Sequence, residues 1–120
     1  MPHQILVVED STMVSGGLRI LLEAHGYEVA VAATAADAIA WKSERPADLM
    51  LLDLTLPDGD GLEVIGGLQA RGVRPSVIFA LTGHADSATE KRCLEAGCDG
   101  VLIKPVPIQD LIRIVSEKVA

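Results

Sequence analysis

Apolar and polar residues follow two patterns along this chain, one typical of buried strands and one typical of amphipathic helices. Runs of apolar residues bounded by Pro, Gly or charged residues predict strands that are buried on both faces, as in a parallel sheet. Such runs predict five strands, at Gln4–Val8, Glu28–Ala32, Leu49–Leu52, Val77–Leu81 and Val101–Ile103.

The segments between these runs carry apolar residues at helical spacing, with capping or helix-breaking residues at their ends. The first predicted helix carries the apolar stripe Val14, Leu18, Leu21 and Leu22 and stops at His25-Gly26. The second runs from Thr34 to Glu44 and is ended by Arg45-Pro46. The other three are one marked by Leu62, Ile65 and Leu68 that closes near Gly72, one from Asp86 or Ser87 to Ala96-Gly97, and one opened by Pro107 with the buried stripe Ile108, Leu111, Ile112 and Val115.

Strict alternation of strands and helices determines the fold class. Parallel strands joined by helices need right-handed crossovers, which produce a helix–sheet–helix sandwich. We therefore expect an α/β fold with a flavodoxin-like, doubly wound five-stranded parallel sheet of order 2-1-3-4-5 and five helices. Because the chain has 120 residues and no internal repeat or linker, we expect one domain over residues 1–120.

Polar residues follow four of the predicted strands, at the edge where ligands bind in open α/β sheets. Glu9-Asp10 follow the first strand, Asp53 the third, Thr82 the fourth and Lys104 the fifth. Clustered carboxylates repel one another unless a cation neutralises them, and Mg²⁺ prefers such oxygen ligands. A carboxylate beside Mg²⁺ can attack a phosphoryl donor, and hydroxyl and ammonium groups can donate hydrogen bonds to phosphoryl oxygens.

Composition and charge argue against several classes of function. The net charge is −7, and only Trp41, Tyr27 and Phe79 are aromatic, which argues against direct binding of nucleic acid or of anionic membranes. No apolar stretch is long enough to span a bilayer and no signal sequence precedes the first strand, so we expect a cytoplasmic location without membrane insertion. Cys93 and Cys98 match neither a disulfide scaffold nor a common metal motif, and we expect ordinary core or near-surface residues.

Four segments at strand ends carry short motifs that together are highly specific. They are ILVVEDS, LLDLTLPDGDG, ALTG and IKP, at residues 5–11, 51–61, 80–83 and 103–105. With these motifs in this order, the chain resembles the receiver domain of two-component response regulators over essentially its whole length. The resemblance implies an Mg²⁺-dependent phosphoacceptor in a histidine-to-aspartate phosphorelay, acting as a signalling switch or relay rather than as a metabolic enzyme.

The resemblance also assigns roles to individual residues. It implies that Asp53 accepts a phosphoryl group from a phosphohistidine on a histidine kinase or a histidine phosphotransfer protein. It implies that the Mg²⁺ ligands are Glu9, Asp10, Asp53 and the Thr55 backbone carbonyl. It also implies that Thr82 and Lys104 contact the phosphoryl group. Phosphorylation would be self-catalysed and would be followed by slow autodephosphorylation. We expect the output surface to involve the fourth helix, the fifth strand and the fifth helix.

One position departs from the family pattern. Receivers usually carry Tyr or Phe early in the fifth strand, where this chain has Val101, so the usual aromatic switch is in doubt. Receivers that pass phosphate onward, including those of hybrid sensor kinases, depend less on such a switch. The segments LPDGDG and AGCDG, at residues 56–61 and 96–100, are similar to those of hybrid receivers.

Each of these residues also has a local structural interpretation. Asp53 can cap the turn that follows it, and Glu9-Asp10 can stabilise the start of a helix through the helix dipole. Thr82 can act as a helix N-cap, and Lys104 can be a solvated lysine. His84, near the same edge, can tune the phosphoryl group or bind metal, although a lone loop histidine is more often solvated.

Other classes of protein share parts of the pattern. Phosphatases of the haloacid dehalogenase type need a second Asp two residues after the nucleophile, where this chain has Thr55, and a flavodoxin needs a hydroxyl-rich loop for which Ser11-Thr12 is a poor substitute. The main alternative is a phosphorylation-independent interaction module on the same fold. An inactive relative would be expected to have lost acidic, hydroxyl or lysine groups, and this chain keeps them all.

Overall fold

The computed structural model describes residues 3–41, 45–83 and 86–119. Its main sheet has five parallel strands in the order β2-β1-β3-β4-β5, which confirms the predicted fold class and strand order. The strands are β1 (Gln4–Val8), β2 (Glu28–Ala32), β3 (Leu49–Asp53), β4 (Val77–Thr82) and β5 (Gly100–Ile103). The predicted strands agree with these bounds to within one residue at each end.

Five helices connect and flank the strands in the described part of the chain. They are α1 (Thr12–Ala24), α2 (Ala35–Ile39), α3 (Glu63–Ala70), α4 (Ser87–Ala96) and α5 (Ile108–Lys118). Side chains cap three of their N-termini: the Ser11 hydroxyl caps α1, the Thr34 hydroxyl caps α2 and the Asp86 carboxylate caps α4. No helix among the described residues is long and apolar enough to cross a membrane.

The second helix is shorter than predicted. The prediction extended it to Glu44, but α2 ends at Ile39, Trp41 is not helical, and residues 42–44 lie outside the described residues. The Arg71 guanidinium, at the end of α3, donates hydrogen bonds to the carbonyl oxygens of Ile39 and Trp41. Because it satisfies carbonyls at the end of α2, Arg71 stabilises the end of the helix at this point.

Two layers of apolar side chains cover the two faces of the sheet. Alternate strand residues point to opposite faces, as the period of a strand requires. One layer joins Leu6, Met50 and Ile78 to α2, α3 and α4, and the other joins Val7 and Leu51 to α1 and α5. All residues of β3 are buried, so Asp53 ends the most enclosed strand of the sheet.

Two residues of the predicted apolar stripes are exposed. Leu111 and Val115 are buried under α5 as predicted, but Ile108 is 63% exposed and Val14 is 41% exposed. Both lie in the first turn of a helix, beside an open groove between α1 and α5 rather than over the sheet. The prediction that Ile108 is buried was therefore wrong.

Candidate functional site

The polar edge of the sheet lies where β1 and β3 end, which is the switch point of this strand order. Glu9 extends β1 by one residue, because its N–H donates to the Ala32 carbonyl oxygen at 3.0 Å. Its side chain is 2% exposed and that of Asp53 is 6% exposed, whereas Asp10 is exposed. The edge therefore combines two buried carboxylates with one that faces solvent.

These three carboxylates converge. Glu9, Asp10 and Asp53 each offer one oxygen, and the three oxygens lie within 4.8 Å of one another. An all-oxygen set with one solvent-facing member fits Mg²⁺, which binds few protein carboxylates and keeps several waters. The structure thus brings together the three acidic side chains that were predicted as metal ligands.

Lys104 bridges the two buried carboxylates. Its Nζ donates to Glu9 Oε2 at 2.9 Å and to Asp53 Oδ2 at 3.0 Å. Burial lowers the pKa of Lys104, but these two hydrogen bonds outweigh burial and raise the pKa above its ordinary value. Burial raises the pKa of Glu9, and hydrogen bonds from Lys104 and from the Ser11 N–H only partly offset it. Lys104 therefore holds its proton more tightly than an exposed lysine does.

The loop after β3 packs tightly against Asp53. Asp53 Oδ1 accepts a hydrogen bond from the Thr55 N–H at 3.0 Å, and the Gly61 N–H donates to the Leu54 carbonyl oxygen at 3.0 Å. A Cβ at Gly61 would lie 2.1 Å from the Asp53 carbonyl oxygen, so only glycine fits there. The loop therefore holds one side of the carboxylate through backbone contacts.

Thr82 lies at the same edge as the acidic residues. It is the last residue of β4 and is 7% exposed, and its carbonyl oxygen accepts a hydrogen bond from the Lys104 N–H at 2.8 Å. This bond ties the end of β4 to the residue that follows β5. Thr82 and Lys104, which were predicted as phosphoryl contacts, thus lie at the carboxyl ends of neighbouring strands.

Two carboxylates tie the loop after β3 to its neighbours, a feature that the sequence analysis missed. Asp58 accepts hydrogen bonds from the N–H groups of Ala35 and Ala36 at 2.8 and 3.0 Å, and these bonds lower the pKa of Asp58. Asp60 forms an ion pair with Arg92 of α4. Acidic residues in a Gly-rich loop were the only signal in the sequence, and nothing there identified their partners.

A second missed feature is the groove between α1 and α5. It has a volume of about 590 Å³, and its lining includes Val14, Leu18, Leu81, Pro105 and Leu111. Met13, also in its wall, is 86% exposed. Lys104 lines the groove as well, so an apolar surface adjoins the charged edge.

Val101 occupies the position of the expected aromatic. It is half-buried and packs against the core layer that α2, α3 and α4 cover. Phe79 is an aromatic residue on the neighbouring strand, where it pairs with Gly100. It belongs to the core layer that α1 and α5 cover, on the other face of the sheet. A Cβ at Gly100 would lie 2.6 Å from the Phe79 ring, so that ring is packed in place. His84 lies outside the described residues.

Comparisons with known proteins agree with this geometry. A family model described as the response regulator receiver domain matches residues 5–116. The chain is 36% identical over 108 residues to the transcriptional regulatory protein KdpE of Mycobacterium tuberculosis, a match that covers 90% of this chain and 47% of that protein. The chain therefore spans about half the length of this curated relative and of others that it matches.

Two solved structures extend the comparison. A CheY-like receiver domain protein from Methanospirillum hungatei JF-1 superposes with a TM-score of 0.88 at 32% identity, covering 99% of this chain and 94% of that one. The receiver domain of sensor histidine kinase PA1611 from Pseudomonas aeruginosa PAO1 superposes with a TM-score of 0.85 at 29% identity, covering 99% and 98%. That structure has a magnesium ion coordinated in its active-site cleft.

Proposed function

The chain belongs to the response regulator receiver domain family, and from this premise we propose that it is an Mg²⁺-dependent phosphoacceptor in a histidine-to-aspartate phosphorelay. Residues 1–120 would form one such domain, and Asp53 would carry the phosphoryl group. The observation that supports this most directly is the convergence of the Glu9, Asp10 and Asp53 carboxylates beside Lys104. A cytoplasmic location stays a prediction.

Asp53 has the position of a nucleophile whose two carboxylate oxygens are both held by hydrogen bonds. One carboxylate oxygen accepts the Thr55 N–H and the other accepts Lys104. In the proposed transfer, an Asp53 oxygen attacks the phosphorus of a phosphohistidine, the P–N bond breaks, and its electron pair returns to the imidazole nitrogen. Asp53 is thereby converted to an acyl phosphate.

The surrounding residues would stabilise the charge that spreads over the phosphoryl oxygens. The Mg²⁺ ligands would be Glu9, Asp10, Asp53 and the Thr55 backbone carbonyl. When bound, Mg²⁺ supplies positive charge next to those oxygens. Lys104 already donates to Asp53, so a small shift of its Nζ brings it to a phosphoryl oxygen. The Thr82 hydroxyl would donate to a second oxygen and report its arrival.

Thr55 is the residue that would leave room for hydrolysis. It lies two residues after Asp53, and its small side chain is exposed. Water therefore has access to the acyl phosphate from this side. We propose slow autodephosphorylation at this site, with the chain acting as a signalling switch or relay.

The phosphodonor would be a histidine kinase or a histidine phosphotransfer protein. The groove between α1 and α5 provides an apolar approach next to Lys104, with Met13 and Ile108 exposed at 86% and 63%. The net charge of −7 disfavours direct contact with nucleic acid.

Phosphorylation by acetyl phosphate tests the proposal without the natural donor. The chain is incubated with and without Mg²⁺, and its intact mass is followed beside Asp53→Asn and beside Asp58→Asn, an acid of the same loop outside the cluster. One phosphoryl adduct that requires Mg²⁺ and Asp53 but not Asp58 is expected. A folded protein with no adduct under any condition would instead favour the interaction module that does not depend on phosphorylation.

A further inference from the structure

The end of α4 brings the two cysteines of the chain together. The Cys98 N–H donates to the Cys93 carbonyl oxygen at 2.9 Å, and the Gly97 N–H donates to the Leu94 carbonyl oxygen at 3.1 Å. Gly97 has a φ of 102°. These are the two hydrogen bonds and the left-handed glycine of a Schellman motif, in which the side chains at the positions of Cys93 and Cys98 usually contact each other.

In this motif the contact is between two thiols. Cys93 and Cys98 are 0% and 6% exposed and lie in the same core layer. A disulfide needs Cα atoms about 4.4–6.8 Å apart with side chains directed at each other. The backbone hydrogen bond from the Cys98 N–H to the Cys93 carbonyl oxygen keeps the two Cα atoms within the upper limit of this range, and both thiols are free.

The helix that covers this pair is weakly held. Cys93 is the only buried residue of α4, and Leu94 is 60% exposed. Helices with few buried apolar side chains open locally at low free-energy cost. Burial raises the pKa of both thiols, that of Cys98 to about 12, so they are protonated and slow to react while α4 is packed. Reaction is therefore confined to the open state of the helix.

We propose that Cys93 and Cys98 form a modification site at which a peroxide makes an intramolecular disulfide. One thiol releases its proton and its thiolate attacks a peroxide oxygen, so that the O–O bond breaks and a sulfenic acid and a hydroxide form, and the hydroxide takes up the released proton to give water. The second thiol then attacks the sulfenic sulfur, an S–S bond forms, and a second water leaves. Two thiols lose two electrons in total, and one peroxide gains them.

The bond would join the last turn of α4 to the residue two positions before β5. It uses none of the acidic residues or Lys104, so it is independent of the proposed phosphoacceptor chemistry. Its effect would be to restrict opening of α4 at the C-terminal end. Because reduction reverses a disulfide, the site would be reversible by small thiols.

Hydrogen peroxide is the probe for the test. The folded chain is oxidised, unfolded and alkylated, and its mass is compared with that of untreated chain. Cleavage after Arg92 leaves both cysteines on one tryptic peptide, whose mass shows the bond directly. Complete loss of both alkylatable thiols is expected, with a peptide lighter by two hydrogen atoms and no disulfide link between two chains. A reducing agent restores both thiols.

Cys93→Ser and Cys98→Ser are the matched variants, each checked for folding by circular dichroism. Each should keep its remaining thiol or oxidise it with added oxygen, and neither should lose two hydrogens. The wild-type result stands even where a variant does not fold. The proposal is overturned by oxygen adducts on both wild-type cysteines, by disulfide-linked dimers, or by unreacted thiols while free cysteine in the same solution is consumed.

Discussion

Lys104 is the residue on which the electrostatics of the acidic edge depend. Glu9 and Asp53 are almost fully buried, and Lys104 donates to both. Without it, two carboxylates would face each other in a poorly hydrated site, which raises the free energy of the folded state. In the proposed phosphotransfer, the same ammonium group would move from the carboxylates to the incoming phosphoryl group.

Replacing this lysine should therefore destabilise the fold. We expect Lys104→Met to lower the free energy of unfolding at pH 7 by about 1–3 kcal/mol, less than for a fully buried pair because Lys104 is 33% exposed. A lysine whose pKa is higher in the folded state than in the unfolded state stabilises the fold fully at a pH below its unfolded pKa, which is about 10.4. This stabilisation is lost as the pH rises through the folded pKa. Urea unfolding of both proteins across this pH range measures the difference.

Lys91→Met is the matched control, because the ion pair that Lys91 forms with Glu95 is exposed. It should change stability by less than about 0.5 kcal/mol. A second comparison is the double variant Lys104→Met with Glu9→Gln, which removes one of the opposed carboxylates. Equal stability of the wild type and Lys104→Met at pH 7 would contradict this account of the bridge.

At the scale of elements, α1 contains two glycines that the fold does not require. A Cβ at Gly16 or Gly17 would have no heavy atom within 4 Å. Glycine in a helix interior costs about 0.5–1 kcal/mol relative to alanine. Packing within the chain thus does not explain either glycine, and Gly17 lines the groove that the phosphodonor is proposed to approach.

Alanine substitution separates these glycines from the one in the loop after β3. Gly16→Ala and Gly17→Ala should each stabilise the chain by about 0.5–1 kcal/mol and leave phosphorylation by acetyl phosphate unchanged. Gly61→Ala should instead destabilise it by about 1–3 kcal/mol, because its Cβ would collide with the Asp53 backbone. Thermal unfolding of the three variants measures both effects, and a stabilised Gly61→Ala would contradict the loop geometry.

The sequence predicted most of the elements and only part of their contacts. Strand positions followed from apolar runs, and the parallel topology then placed Glu9, Asp53 and Lys104 at one edge. The end of α2 was not predictable, because it depends on Arg71, which is remote in sequence. The groove escaped prediction for a similar reason, since helical periodicity cannot distinguish a side chain over the sheet from one beside a gap, as Ile108 shows.

At the scale of the whole molecule, the open question is how the edge of the sheet affects the distant surface. Phosphorylation can change the conformation of a surface only to the extent that it stabilises one conformational state of the chain more than the other. The expected output surface of α4, β5 and α5 has Val101 where receivers usually have an aromatic, and Phe79 packs on the opposite face. We therefore expect a small conformational response in this chain.

Restoring an aromatic should enlarge this response. We expect Val101→Tyr to show greater changes in amide hydrogen exchange of α4 on phosphorylation than the wild type. Val101→Ile, which keeps an aliphatic side chain, is the control and should respond as the wild type does. Phosphorylation with acetyl phosphate at equal occupancy allows the comparison, and equal responses in all three chains would count against a role for this position.

The ion pair between Asp60 and Arg92 has a consequence for how partners compete. It joins the loop after β3 to α4, so a movement of either one changes the energy of the same ion pair. Thermodynamic reciprocity then applies: a binder of α4 that gains affinity when Arg92 is released favours release of the loop by the same factor. A partner that occupies α4 would thus shift the conformational equilibrium of the loop, and a change in the loop would shift the affinity of that partner.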